Sequence, residues 1–171
     1  MKKLLGILIL VVLVSSTNVF AQKELKFGHI NSNELLAVMP ERDSAAAELQ
    51  RYAQMLQDEM QALGAEYQSK ITAYEQKKAT YSDLVRQSKE AELQELGRRA
   101  QEFQVTAQQD YQQKEAELIQ PVMDKAQKAI EKVAKANGFT YVFDLGSGGI
   151  LYHSEQSVDI LPLVKKELGI E

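Results

Sequence analysis

The feature that most constrains the fold is a stretch of about 80 residues, 41–120, that contains no proline and is rich in strong helix formers. Hydrophobic residues recur in it at spacings of three and four, the period of a helix that buries one face. So narrow a hydrophobic stripe indicates a helix packed against one partner and otherwise surrounded by water. The stripe falls into two runs: Leu49, Ala53, Leu56, Met60, Leu63, Tyr67, Ile71 and Tyr74, then Leu93, Leu96, Ala100, Phe103, Ala107, Tyr111 and Leu118.

The two runs match when the chain folds back near residue 80, because paired positions then have numbers that sum to about 160. This register places Leu63 opposite Leu96, for example. We therefore predict an antiparallel coiled-coil hairpin over 41–120, with its tip near 80–82. The alternative is two helices that each pair with another chain.

Two pairs of helix-disfavouring residues match in the same register. Gly64 falls opposite Gly97, and because glycine weakens a helix interior, the pair predicts a soft joint midway along the hairpin. Pro40 and Pro121 also fall at one level. Pro40 suits the start of the first helix, whereas Pro121 removes a helical hydrogen bond and should kink the second. We therefore expect the hairpin to emerge from a compact body at the level of these two prolines.

The compact body is predicted from the two flanking segments, 22–40 and 121–171, which together supply 70 residues. A single core of that size is marginally stable by itself. The expected strands are also apolar on both faces, as in sheets that are covered on both sides. We predict an α+β fold in which identical chains complete each other's bodies. The residues expected at this body contact are Phe27, Ile30, Phe139, Tyr141, Phe143, Ile150 and Tyr152.

Five elements are expected in the body. The predicted strands cover 25–30, 139–144 ("FTYVFD") and 149–153 ("GILYH"), which are rich in β-branched and aromatic residues. A short helix is expected near 33–38, capped by an asparagine or serine, and a last helix over 160–168. Phe139, Tyr141 and Phe143 should share one face of their strand, since side chains alternate along a strand.

The stretch "DLGSGG", residues 144–149, most resembles a catalytic or phosphate-binding loop. A phosphate loop needs a Gly-Lys-Ser/Thr end that leads into a helix, but here Ile150 and a predicted strand follow. A nucleophile elbow needs glycine two residues before the serine, and Leu145 holds that position before Ser147. We therefore interpret the glycines as a turn between two hairpin-connected strands.

The remaining residues argue against catalysis. His29 and His153 are the only histidines, cysteine is absent, and acidic residues outnumber basic ones by 24 to 20. An acidic chain without clustered positive charge is not expected to bind nucleic acid. We predict no catalytic residue, no cofactor and no metal site.

The N-terminus has the organisation of a secretory signal peptide over 1–21. Lys2 and Lys3 precede a short apolar run, and cleavage is expected after Ala21. The run is shorter than the roughly 20 residues that span a bilayer, although an uncleaved membrane anchor is the alternative.

With this leader, "FGHIN", a long polar hairpin, "GFTYVFD" and "ILYHSEQSVDI", the chain resembles the Skp/OmpH family of periplasmic chaperones. The resemblance implies a homotrimer with a β-barrel-like core and three helical arms around a cavity. It implies an ATP-independent holdase that binds unfolded outer-membrane proteins. The alternative function is a non-catalytic envelope scaffold or adaptor that uses the hairpin.

The arms depart from the basic members of that family, because residues 41–120 carry 10 basic and 15 acidic residues, a net charge of −5. Only the tip is basic, and weak contact with a membrane surface is expected there. The basic tip residues are Lys77, Lys78, Arg86 and Lys89. Apolar residues outside or at the edge of the stripe are candidates for client binding: Met55, Ala62, Tyr74, Tyr81, Leu84, Val85 and Val105.

Overall fold

A computed structural model describes residues 25–170 of the protein. The predicted signal peptide lies outside the described residues. None of the helices within 25–170 is long and apolar enough to cross a membrane. The elements, in chain order, are β1 (Phe27–Ile30), α1 (Ser32–Ala37), α2 (Pro40–Lys77), a 3-10 turn (Lys78–Thr80), α3 (Asp83–Ala136), β2 (Tyr141–Asp144), β3 (Val158–Asp159) and α4 (Leu161–Leu168).

The two long helices, α2 and α3, form a hairpin within one chain. Pro40 occupies the first turn of α2, where its missing N–H costs no helical bond. After the 3-10 turn, Ser82 caps α3, and its Oγ accepts a hydrogen bond of 3.4 Å from the backbone N–H of Val85. The tip of the hairpin therefore lies between Lys77 and Asp83, and α2 and α3 pair within the chain.

The predicted stripe is the seam of the hairpin. Every stripe residue is buried or half-buried, and Leu63 and Leu96 are the most enclosed, with 6% and 4% of their surface exposed. Polar contacts join the arms at both ends of the seam. They are the ion pair Lys70–Glu92, the Tyr74 hydroxyl donating to Glu90 and the ion pair Glu41–Lys125. In these pairs the two residue numbers add up to 162, 164 and 166, whereas the predicted register has pairs that add up to about 160. The two arms are therefore shifted by a few residues from the predicted register.

The helices continue through the positions expected to disturb them. Helix α3 runs unbroken through Pro121 and ends only at Ala136. The ring of Tyr67 lies over Gly97, where an added Cβ would be 3.7 Å from Tyr67 Cε2. An added Cβ at Gly64 would have no neighbour within 4 Å among the described residues. The soft joint stays a prediction.

The sheet differs from the predicted one. Strand β1 lies in the centre of the described sheet, with β2 and β3 on either side, and both are parallel to it. The predicted hairpin connection is therefore wrong. The predicted strand at 149–153 is also wrong, because these residues pair with no strand in the described part of the chain. Val158 and Asp159 take the position beside β1 instead.

The core of the body lies between one face of the sheet, the base of α3 and the two short helices. Ile30, Leu35, Met39, Ile160 and Val164 are its completely enclosed side chains. Helix α3 adds small or branched residues at intervals of three and four, so that the helix approaches closely. They are Val122, Ala126, Ala129 and Val133.

Ile30 and Phe139, which were expected at the contact between bodies, pack in or against the core of their own chain. Ile30 is 2% exposed within the single chain. Phe139 packs against the core. Its ring lies directly over Gly28, since a Cβ added at Gly28 would be only 3.1 Å from Phe139 Cδ1. The strand alternation does not extend to Phe139, because β2 begins only at Tyr141 and Gly138 has a positive φ of 68°. Lys26 covers the outer face of the Phe139 ring, 4.2 Å from its centroid.

The glycine-rich loop, which follows β2, is hydrogen-bonded to the start of α1. The Asp144 carboxylate accepts hydrogen bonds from the Ser32 N–H and hydroxyl and from the Gly146 N–H, at 3.0, 2.7 and 2.9 Å. Partial burial opposes ionisation of Asp144, but these bonds outweigh it and lower the pKa. Asn33 also donates to the Gly146 carbonyl at 2.9 Å. The loop is thus a structural bracket between two segments that are distant in sequence.

Candidate interaction surfaces

The outer face of the sheet exposes three aromatic rings. Strand alternation places Phe27, Tyr141 and Phe143 on the face opposite the core. Each ring centroid lies 6.1–6.2 Å from the next, within the range of favourable aromatic pairs. The exposed fractions of the three residues are 38%, 60% and 40%. Clustered exposed rings of this kind mark an interaction surface.

The segment that follows the glycine-rich loop extends this surface. Leu151 is 98% exposed and Tyr152 is 83% exposed, so neither contributes to the core of its own chain. Ile150 and Tyr152 line a pocket of about 240 Å³ together with Phe27 and Phe143. We name Phe27, Tyr141, Phe143 and Tyr152 the body patch. Leu151 was missed by the sequence analysis, although its place in an apolar run could have revealed it.

The two histidines meet beside the body patch. Their rings stack with centroids 4.1 Å apart, and His29 Nδ1 forms a hydrogen bond of 2.8 Å with Ser157 Oγ. Within residues 25–170 no cluster of three or more His, Cys, Asp or Glu side chains is arranged to hold a metal ion. The two histidines line the same pocket as Phe27, Phe143 and Tyr152 and so form part of the surface around the patch.

The candidate client-binding residues divide into two groups. Met55, Leu84, Val85 and Val105 expose 53%, 77%, 41% and 62% of their surface, and Ala62 is also exposed. Tyr74 and Tyr81 are half-buried. Tyr74 belongs to the seam, while Tyr81 folds back over it from the tip.

The tip contains a small pocket between α2, Tyr81 and the start of α3. It has a volume of about 180 Å³. Its walls are the Tyr74 and Tyr81 rings, whose centroids lie 6.3 Å apart, with Ala73 and Leu93. We name this the tip pocket. It brings together the two tyrosines that the sequence analysis singled out separately.

A network of charged side chains borders the tip pocket. Glu92 accepts from Lys70 and, at 2.8 Å, from Lys89, and these two ammonium groups lower its pKa to about 2. The sequence analysis missed Lys70 and Glu92, because their pairing depends on the register between the arms.

Most cations of the predicted basic tip are paired with neighbouring carboxylates. Lys78 pairs with Glu75 at 2.5 Å, and Arg86 with Asp83 at 3.1 Å. Lys77 has no carboxylate within 4 Å among the described residues. Because these pairs neutralise each other, the tip carries less free positive charge than its count of basic residues indicates.

The chain matches known proteins over most of its length. A family model described as "Outer membrane protein (OmpH-like)" matches residues 26–168. The protein "Chaperone protein Skp" of Photorhabdus luminescens is 28% identical over 128 residues, 72% of this chain and 75% of that protein. Its counterpart in Photorhabdus laumondii is 27% identical over 131 residues, 74% and 77% of the two chains.

The fold also matches a solved structure. An OmpH-like protein of Caulobacter crescentus CB15 superposes with a TM-score of 0.72 at 17% identity, over 84% of this chain and 83% of that one. At that identity the likeness establishes a shared arrangement of long hairpin and small body. This likeness and the family match over 26–168 lead to one assignment: the chain belongs to the OmpH-like family.

Proposed function

We propose that the protein is an ATP-independent holdase chaperone of the periplasm that binds unfolded outer-membrane proteins and prevents their aggregation. The observation that carries the proposal is a long hairpin whose exposed face is polar but holds isolated apolar side chains along its length. Relatives named as Skp chaperones, at 27–28% identity, support the same role. This activity needs no catalytic residue and no cofactor, and proteins of this family are generally not enzymes.

The body patch supports assembly into a homotrimer. Four aromatic side chains lie together on one side of a small body whose own core lies on the other side of the sheet. Burying such residues stabilises an assembly by about 1.5–3 kcal/mol for each side chain that becomes fully enclosed. The simplest way to cover this patch is contact with the same patch on identical chains. Three bodies joined in this way would direct three hairpins away from a common core.

The arms then supply many weak contacts around one client. Met55 and Val105 lie on different arms of the hairpin, and Leu84 and Val85 lie near its tip. Each exposed side chain binds weakly, but linked sites raise the effective concentration of the next contact. A client held by many weak contacts keeps much of its conformational freedom, which suits a chain that must later fold elsewhere. Contact of the tip with a membrane surface rests on Lys77 more than on the paired cations.

The test is aggregation of a barrel outer-membrane protein diluted from urea, followed by light scattering without ATP. We expect suppression at a few-fold excess of the protein. The double variant Met55→Ser with Val105→Ser should suppress less, whereas the matched change of two exposed polar residues, Gln57→Ser with Gln104→Ser, should not differ from the unmodified protein. Absence of suppression by the unmodified protein would instead favour a scaffold or adaptor that uses its hairpin to bind folded partners.

A further inference from the structure

The tip pocket has the size of a single aromatic ring. Its volume is about 180 Å³, close to the apolar cavity of about 150 Å³ that accommodates benzene, but this pocket opens to solvent and is partly lined by charged side chains. Ala73 contributes only a methyl group to the wall, beside the Tyr74 and Tyr81 rings. A phenyl or phenol ring matches the volume of this space.

The chemistry of the walls also favours an aromatic guest. The rings of Tyr74 and Tyr81 are tilted by 33° and 6.3 Å apart, so a third ring can add an edge-to-face contact to either. Lys70, Lys89 and Glu92 border the same space, and both lysines are paired with Glu92. A ring that packs against the two tyrosines gains aromatic contacts that an aliphatic side chain of equal size does not gain.

The pocket is held open by its own polar contacts. The Tyr74 hydroxyl donates to Glu90, and Glu92 binds both lysines of the rim. Lys70 is also 3.5 Å from Glu66. Because these partners already restrict the rotamers of the wall and rim, a guest meets a smaller entropic cost on entering.

We propose that the tip pocket is a subsite that receives one phenylalanine or tyrosine side chain of an extended client segment. The inference rests on the proposed holdase function and names the feature of the client that the tip recognises. Transmembrane β-barrel proteins carry girdles of aromatic residues, so their unfolded chains offer such side chains repeatedly. The tip then adds a discrete contact to the scattered apolar contacts of the arms.

The direct experiment uses the full chain labelled with ¹³C at its alanine methyl groups. The probe is the peptide acetyl-Gly-Ser-Gly-Phe-Gly-Ser-Gly-amide, compared with the same peptide carrying cyclohexylalanine in place of phenylalanine. We expect the aromatic peptide to move the Ala73 methyl resonance by a ring-current shift and to bind roughly two- to fivefold more tightly than its saturated analogue, because only the aromatic ring gains contacts with the tyrosine rings. Equal binding of the two peptides, or an unmoved Ala73 resonance, would overturn the proposal.

A pocket-filling variant provides the second arm of the test. Ala73→Leu keeps a strong helix former but fills the cavity, and Ala65→Leu makes the same change at an exposed position elsewhere on α2. The first should reduce affinity for the aromatic peptide at least fivefold, and the second should leave it unchanged. Retained affinity in Ala73→Leu, with unchanged helix content by circular dichroism, would refute the pocket.

Aggregation measurements separate this proposal from the proposed function. If the unmodified protein suppresses aggregation but shows no preference for the aromatic peptide, the holdase function stands and the pocket proposal fails. If it binds the aromatic peptide at Ala73 but does not suppress aggregation, the pocket stands as a site and the holdase function fails.

Discussion

Replacing Gly146 with alanine should damage the body more than any other change in the glycine-rich loop. A Cβ at this position would lie 2.8 Å from Asn31 Oδ1, 2.9 Å from Ser32 Oγ and 3.1 Å from the backbone N of Asn33. These atoms have little freedom to move. Asn31 Oδ1 caps helix α1 by accepting from the Asn33 N–H at 3.1 Å, and the Ser32 hydroxyl donates to the Asp144 carboxylate at 2.7 Å.

The magnitude follows from the bonds that the methyl group would displace. Loss of the Asn31 cap costs about 1 kcal/mol. Loss of the hydrogen bond from Ser32 to the charged Asp144 costs about 1.5–3 kcal/mol. We therefore expect Gly146→Ala to lower the free energy of unfolding by about 2.5–4 kcal/mol. With a urea m-value of about 2 kcal/mol/M, the midpoint should fall by about 1–2 M.

The assay is urea unfolding followed by circular dichroism at one fixed protomer concentration, because assembly would otherwise shift the midpoint. Two neighbouring glycines serve as controls. A Cβ at Gly149 would lie 3.7 Å from Ser147 Oγ, an ordinary contact, so Gly149→Ala should change the stability by less than about 0.5 kcal/mol. Gly148 has a φ of 71°, so Gly148→Ala should cost about 1–2 kcal/mol. If Gly146→Ala and Gly149→Ala unfold at the same urea midpoint, the close packing of Gly146 against Asn31 and Ser32 does not contribute to stability.

Three further outcomes are expected. Alanine in place of Gly64 or Gly97 should stabilise the hairpin by about 0.5–1 kcal/mol each and slow amide exchange in the middle of the arms; unchanged exchange would argue against a soft joint there. Tyr141→Ser should shift sedimentation toward smaller species at micromolar concentration, since it removes the 60% exposed ring of the body patch; an unchanged profile would show that the patch is not the assembly surface. The Glu92 carboxyl should titrate by NMR near its lowered pKa of about 2, so its contribution to stability is present above pH 4.5 and lost as the pH falls toward 2. Lys70→Met should raise that midpoint, and an unchanged midpoint would contradict the ion pair across the arms.

The hairpin is predictable from the sequence because its determinants are local and periodic. A stripe with spacings of three and four specifies which residues are buried whatever the exact register, and every stripe residue is at least half-buried. The helix ends are also specified locally, by Pro40, Ser82 and Gly169. The register is less certain, because two polar helices can slide by one or two residues without exposing the stripe.

The sheet is less predictable because strand pairing is a tertiary property. The run "GILYH" has a higher β-propensity than Val158-Asp159, yet only the second pairs with β1. Propensity indicates an extended backbone but neither the partner nor the direction of pairing. The body patch was found in part for the same reason: Tyr141 and Phe143 follow from alternation, whereas Ile30 and Phe139 turn to the core through packing that the sequence pattern does not show.

The central position of β1 has a consequence for the order in which the body can form. This strand is among the first described residues to leave the ribosome, but both of its neighbours in the sheet are more than 100 residues further along the chain. The hairpin can close as soon as α3 emerges, since its contacts near the tip span short loops. The body must wait for the last 30 residues, and during that interval the apolar side chains of β1 have no native cover. The hairpin brings Pro40 and Pro121 to one level. It therefore shortens the distance over which β1 must find β2 and β3.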